Sequence, residues 1–223
     1  VNIPVRALTK EEQRKLIKIL ETEDVNYKVQ MLLSLSAGLR MGEINALFVE
    51  DINKDFKRLT IHRTISRGEK GAPLLSETPK TKAGNRVLIL VDSVYDLLSE
   101  CIGDKKSGLI FTQNGKMIST SQVYAQFNRM LKKYDIIDQT ITNGKIDLHS
   151  LRHTFGTRCA EAGMPPKVLQ EIMGHTDISI TMNTYFYATK DYIQENLLKV
   201  NSILEQDGLS IRQPTTAVTK QLG

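Results

Sequence analysis

His149-Ser-Leu-Arg152-His153-Thr, followed by Gly174-His175 and then by Tyr185 inside Thr-Met-Asn-Thr-Tyr-Phe-Tyr, is the stretch on which the reading of this chain turns. If residues 149–152 open a helix, the 3.6-residue period puts His149 and Arg152 on one face, one turn apart. One imidazole and one guanidinium then point the same way. Such a pair can hold a phosphate, because the planar fork of arginine matches two phosphate oxygens while histidine gives or takes a proton near neutral pH. Taken alone, a helix-start histidine beside a surface arginine is the simpler reading.

Working outward, Asp147 or a neighbour caps this helix, which runs through Cys159 to Ala162 and stops at Gly163. Pro165-Pro166 starts another, through Val168, Leu169 and Ile172 to Gly174, so His175 emerges just past its end. After a turn at residues 176–179 a helix over 180–187 would bring Tyr185 and His175 toward the same spot as Arg152. By itself Tyr185 also fits a core aromatic, since Phe186 and Tyr187 flank it and Tyr192 follows.

Toward the N-terminus, Thr9-Lys-Glu-Glu12 is a helix start, with Leu16, Ile17 and Leu20 expected as its buried stripe. A second helix over about 27–36 stops at Ala37-Gly38, and helical character resumes over 41–48. Arg40 therefore sits where two helices meet, with Glu43 one turn on to orient it; a structural ion pair at that junction is an equal alternative. Between these helices and the 149–152 stretch the period changes. Arg58-Leu-Thr-Ile-His-Arg-Thr-Ile alternates as a strand does, and Asn85-Arg-Val-Leu-Ile-Leu-Val is a second β-rich run. The connection between them ends in Thr78-Pro-Lys80-Thr-Lys82-Ala-Gly84-Asn85, whose turn residues place a lysine on a hairpin tip. Helices are expected over 94–100 and 121–134, with a loop and a short extended piece at Ile110-Phe-Thr-Gln-Asn-Gly-Lys.

With 223 residues, 40% of them hydrophobic, the chain can bury a core, and one large domain is favoured over two small ones. A net charge of +5 agrees with a polyanionic partner without demanding one. Cys101 and Cys159 lack metal-ligand spacing, and no leader opens the chain, which points to a reducing, cytoplasmic setting. No apolar run approaches the roughly 20 residues that cross a bilayer.

Ala37-Gly-Leu-Arg40-Met-Gly-Glu43, His149-Ser-Leu-Arg152-His153-Thr, Met173-Gly-His175 and Tyr185 resemble, in order and spacing, the boxes of the tyrosine recombinases, the phage-type and conjugative-transposon integrases. The resemblance covers about residues 8–192. It implies that family's catalytic-domain fold, mainly α with a small antiparallel β-sheet (α+β). It also implies the roles: Arg40 and Arg152 clamp the scissile phosphate, His149 and His175 are the two histidines of the site, Tyr185 is the nucleophile, and the hairpin lysine is Lys80 or, failing that, Lys82. The strand after that lysine reads Val87-Leu-Ile-Leu where a proline often closes the family's motif, and Tyr187 stands where many relatives carry histidine.

Physical chemistry agrees with those roles. Two arginines can neutralise charge growing on the nonbridging oxygens without a metal, and no Asp/Glu cluster suited to magnesium accompanies the boxes. A phenol with a reference pKa near 10 needs a neighbouring base, for which His149 is the candidate, and a lysine on a hairpin tip can protonate the departing 5′ oxygen. No cofactor or metal is expected, since a 3′-phosphotyrosine link keeps the bond energy for rejoining. The expected activity is site-specific cleavage and rejoining of double-stranded DNA that integrates and excises a mobile element. A type IB topoisomerase-like relaxing enzyme and an inactive DNA-binding module are the alternatives. Residues 1–207 are expected to form the catalytic domain and 208–223 a flexible tail, with the family's N-terminal DNA-binding domains not preceding Val1. Ile193, Leu197, Val200 and Leu204 make an apolar stripe on a final helix over about 190–206. The resemblance implies that such a helix docks on a neighbouring subunit of a DNA-bound tetramer; an excisionase-type accessory protein is a further expected partner, and a membrane is not.

Overall fold

Thr9 caps the first helix as its sequence predicts: its side chain accepts from Glu12 N at 3.1 Å, and the Glu12 carboxylate accepts from Thr9 N at 2.8 Å. This helix, α1 (Lys10–Leu20), buries Leu16 and Leu20, whereas Ile17, a hundred degrees round from Leu16, faces out. The protein is described by a computed structural model at residues 3–77, 85–189 and 193–206. It divides into two compact units, Val1–Ala188 and Thr189–Gly223.

In the first unit α2 (Val25–Ala37) ends at Gly38, whose φ of 65° is the left-handed conformation that favours glycine. A Cβ at Gly38 would also collide with the Phe155 ring. α3 (Met41–Asn45) is shorter than the 41–48 expected, because Asp51 accepts from Phe48 N at 2.9 Å and winds the chain into a 3-10 turn at Val49–Asp51. Asn45 itself is fully buried, linked to Gln30 and to the Ile118 carbonyl.

The small sheet runs β1 (Ile52–Asn53), β2 (Arg58–Ile61), β5 (Arg86–Ile89), all antiparallel, with Leu59 opposite Leu88 and Ile61 opposite Arg86. The alternating run over 58–65 is thus two strands. Asp51 draws both intervening side chains toward itself, His62 Nε2 at 2.7 Å and Arg63 Nη1 at 2.8 Å, and the chain leaves the first sheet there. β3 (Thr64–Arg67) pairs instead with β4 (Pro73–Ser76), a strand hidden in what reads as a polar connection. β6 (Thr112–Gln113) and β7 (Lys116–Met117) form a hairpin through Asn114-Gly115, both at positive φ, where a loop with one short extended piece was expected. Lys80 and Lys82 lie outside the described residues.

α4 (Asp92–Ile102) and α5 (Thr120–Lys133) close the main core around Leu33, Leu39, Phe111, Phe127 and Leu151. α6 (His149–Glu161), α7 (Pro166–Met173) and α8 (Ile178–Thr189) follow, with a smaller cluster of Cys159, Leu169 and Met173. α8 seats Thr184 close on Gly156 of α6, where a Cβ would stand 3.2 Å from the Thr184 methyl. The protein is therefore mainly helical with small antiparallel sheets. The second unit holds α9 (Ile193–Gln206), on which Leu197, Leu198, Val200 and Ile203 are exposed and Leu204 half-buried. No helix among the described residues is long and apolar enough to cross a membrane.

Candidate active site

The C-terminal end of α7 organises the site. Gly174, at φ 64°, turns the chain so that its N–H bonds the Glu171 carbonyl and His175 N bonds the Gln170 carbonyl, two of the acceptors a helix end leaves open. The next three carbonyls each take a guanidinium from a different part of the chain. Arg86 Nε donates to Ile172 O at 2.8 Å, Arg152 Nη2 to Met173 O at 2.5 Å, and Arg40 Nη2 to Gly174 O at 3.0 Å. Unsatisfied carbonyls and the negative end of the helix dipole both favour cations here.

Arg152 also reaches across to the other left-handed glycine, donating from Nη1 to Gly38 O at 2.6 Å. Burial first, and the charge of Arg40 second, push its pKa below the ordinary arginine value. It is only 6% exposed, whereas the Arg40 side chain is 40% exposed. Arg40 is therefore the more accessible of the two, although its Nη1 and Nη2 turn inward to Glu43 and Gly174.

Glu43 gathers two of these arginines. Its Oε1 accepts from Arg40 Nη1 at 2.9 Å and Arg86 Nη1 at 3.1 Å; its Oε2 accepts from Arg40 N at 2.9 Å and Arg86 Nη2 at 2.8 Å. Burial alone would raise the Glu43 pKa, but the bonds and charges of Arg86 and then Arg40 outweigh it and hold the carboxyl below its usual range.

His175 is 8% exposed, its Nδ1 2.9 Å from Thr181 Oγ1. Burial first, then the charges of Arg152 and Arg40, lower its pKa to about 4, so the ring is neutral at pH 7. His149 opens α6 with an exposed side chain while Arg152 one turn later is buried, so the two diverge in depth although they share a side of the helix. The N-cap is Leu148, the neighbour of Asp147, and makes no side-chain cap bond, while the Asp147 carboxylate accepts from His149 N at 2.8 Å. His153 stands next to this pair, its pKa lowered by burial and then by His149.

Tyr185 lies one turn after Thr181 on α8. Its hydroxyl is buried and its ring packs on the cluster of Cys159, Leu169 and Met173 with Phe155 and Met164. Burial, and then the Cys159 thiol, raise the phenol pKa. The structure thus brings Arg40, Arg152 and His175 together, leaves the His149 ring at the surface, and beds Tyr185 in apolar side chains. Arg86 and Thr181 belong to the same constellation and were not singled out from sequence. Arg86 carried one signal, a charged residue opening an otherwise apolar strand; Thr181 carried none. Beside the arginines a cleft of about 540 Å3 runs between β5 and α7, with Arg86, Lys167, Gly174 and His175 in its walls. Among the described residues no group of three His, Cys, Asp or Glu is placed to hold a metal ion.

The chain is also similar to known proteins over most of its length. The model of the phage integrase family matches residues 6–191. The transposase of transposon Tn916 from Enterococcus faecalis is 32% identical over 222 residues, covering 93% of this chain and 54% of its own length. Tyrosine recombinase XerA of Pyrococcus furiosus is 28% identical, over 88% of this chain and 62% of its own. The solved integrase of transposon Tn1549, in complex with transposon right end DNA, superposes with a TM-score of 0.75 at 27% identity, covering 90% of this chain and 67% of that one. The chain spans about half the length of the Tn916 relative.

Proposed function

Since the chain belongs to the phage integrase family, we propose that it is the catalytic part of a tyrosine-type site-specific DNA recombinase, acting at the ends of a mobile element. The observation that carries this reading is the part-exposed Arg40 beside Arg152 and a neutral His175 at the α7 end. That arrangement suits a phosphodiester, whose two nonbridging oxygens match a guanidinium fork and whose charge rises toward the transition state. Similarity to the Tn1549 integrase, solved on transposon right end DNA, supports double-stranded DNA as the partner.

In this reading the Tyr185 hydroxyl attacks the scissile phosphorus and loses its proton to His149. The bond to the 5′ oxygen breaks, and that oxygen takes a proton from the hairpin lysine, Lys80 in the first instance. Arg40 and Arg152 hold the charge meanwhile, and reversal of the same steps with a second 5′ hydroxyl rejoins the strand. The exposed Leu197 and Val200 of α9 support a helix that docks on a neighbouring subunit within a tetramer on DNA. Residues 1–207 would then make the catalytic domain.

A nicked DNA carrying the element's end traps the covalent adduct if the reading is right. Tyr185→Phe should eliminate that adduct while DNA affinity changes by less than about tenfold, or 1.4 kcal/mol. An adduct that survives in Tyr185→Phe and vanishes in Tyr187→Phe would move the nucleophile. Relaxation of plasmid by the protein without paired sites would favour the topoisomerase-like alternative.

A further inference from the structure

We propose that Arg86 is a positioning residue of the cleavage step, which occupies the two-oxygen seat on Glu43, holds Arg40 to a single side-chain bond with that carboxylate and so leaves the Arg40 N–H groups not bonded to Glu43 or Gly174 available to the phosphate. This rests on the recombinase reading above. Carboxylate and phosphate present the same pair of oxygens to a guanidinium, so a buried glutamate beside Arg40 is a built-in competitor for its fork. Glu43 is such a competitor, 6% exposed and three residues from Arg40.

The competition is resolved by geometry. Arg86 approaches Glu43 with both Nη atoms, one on each oxygen, at 3.1 and 2.8 Å. Arg40 is left a single side-chain bond to Oε1, its other contact with the carboxylate coming from the backbone N–H. A carboxylate accepts about four hydrogen bonds, and those four are now made, so neither oxygen has room for a second Arg40 nitrogen. Arg86 is fixed in turn by Nε on Ile172 O, and its side chain is 7% exposed, so it cannot itself present a fork to DNA. Charge points the same way: Glu43 lies between two guanidiniums, so its negative charge is answered without cancelling that of Arg40.

Arg86 also opens β5, opposite Ile61 of β2, on the strand that follows the lysine-bearing connection. Its two anchors are the junction that carries Arg40 and the helix end that precedes His175. One side chain thus ties the sheet to both.

The test is single-turnover adduct formation by the whole chain on a nicked transposon-end DNA, with affinity measured separately. Arg86→Gln should slow cleavage about thirtyfold at saturating DNA while Kd moves less than about threefold, because the variant loses no phosphate contact. Arg86→Lys, which keeps the charge and loses the fork, should restore only part of the rate. The deciding measurement is the combination with Arg40→Lys. If Arg86 acts through Arg40, the double variant cleaves within about threefold of Arg40→Lys alone, whereas a purely structural role would multiply the two losses. Multiplied losses, or a wild-type rate in Arg86→Gln, overturn the inference. Absence of an adduct from the wild-type protein would instead remove the recombinase reading beneath it. Should Arg86→Gln melt below the assay temperature, Arg86→Lys alone and with Arg40→Lys gives the same comparison.

Discussion

Two nests meet at α7 and are built on opposite principles. At the C-terminal end of the helix, three guanidiniums from β5, α6 and the α2–α3 junction converge on three successive carbonyls, with Glu43 between two of them. On its flank Leu169 and Met173 join Cys159, Phe155 and Met164 around the Tyr185 ring. The first nest is held by directional bonds between distant parts of the chain, the kind of preorganisation that the proposed phosphate site would need. The second is held by apolar contact and raises the phenol pKa, the reverse of what the proposed nucleophile would need. On the proposed roles, the difference teaches that the phosphate-holding half rests on directional bonds within the chain, while Tyr185 has an apolar setting to leave.

Substitution can separate the two. Leu169→Ala removes a fully buried side chain from the apolar nest and should lower unfolding free energy by about 3 kcal/mol in a denaturant melt. Its effect on DNA affinity should be small; a large loss of affinity would show that the nests are not separable. Arg40→Lys should do the opposite, slowing cleavage by about a hundredfold, roughly 2.7 kcal/mol, because a point charge cannot replace the fork. As Arg40 is part-exposed, its melting temperature should hardly change. Near-wild-type cleavage would make Arg40 structural.

Acidification tests the polar nest through His175. With a folded pKa near 4 against about 6.5 unfolded, the unfolded chain binds the extra proton between those values, so stability rises with pH across that window and falls as pH drops through it. His153, lowered in the same direction, adds to the loss. At pH 5 the His175 contribution should be no more than about 2 kcal/mol below its value at pH 7, and urea melts of His175→Gln should show a flatter dependence. An unchanged slope would put the titration elsewhere. The smallest effect is expected at Cys159, whose thiol is raised by burial to about 11. Iodoacetamide should label it slowly at neutral pH in the free protein and faster on nicked substrate DNA, as Tyr185 leaves the nest; equal rates would mean that the nest stays closed.

What was legible in the sequence follows from how local each determinant is. Gly38 stops one helix, Arg40 follows at the cap of the next, and Gly174 ends α7 just before His175; all are short-range signals, and the positions of Arg40 and His175 rest on them. Helix α3 came out shorter, and the strand over 58–65 broke, because Asp51 captures Phe48 N, His62 and Arg63, an interaction no period reports. Arg86 was hidden for a similar reason: its partners Glu43 and Ile172 are far away in the chain and meet it only once β5 is in register with β2. The setting of Tyr185 depends on faces of α6 and α7 that sequence identifies as apolar without saying which neighbour they receive. The hairpin lysine, read from turn residues, lies outside the described residues.

The crossed pairing of glycines and arginines has a consequence for the order in which the molecule forms. Arg152 bonds Gly38 across 114 residues and Arg40 bonds Gly174 across 134. Loops of that length close late, since their entropy must be overcome before any contact rewards it. A chain still emerging from the ribosome, with α7 not yet made, holds Arg40 and Glu43 but none of the α7 carbonyls that fix them. The arginine cluster is therefore completed by the same event that brings α7 home, and a half-made chain holds none of it assembled.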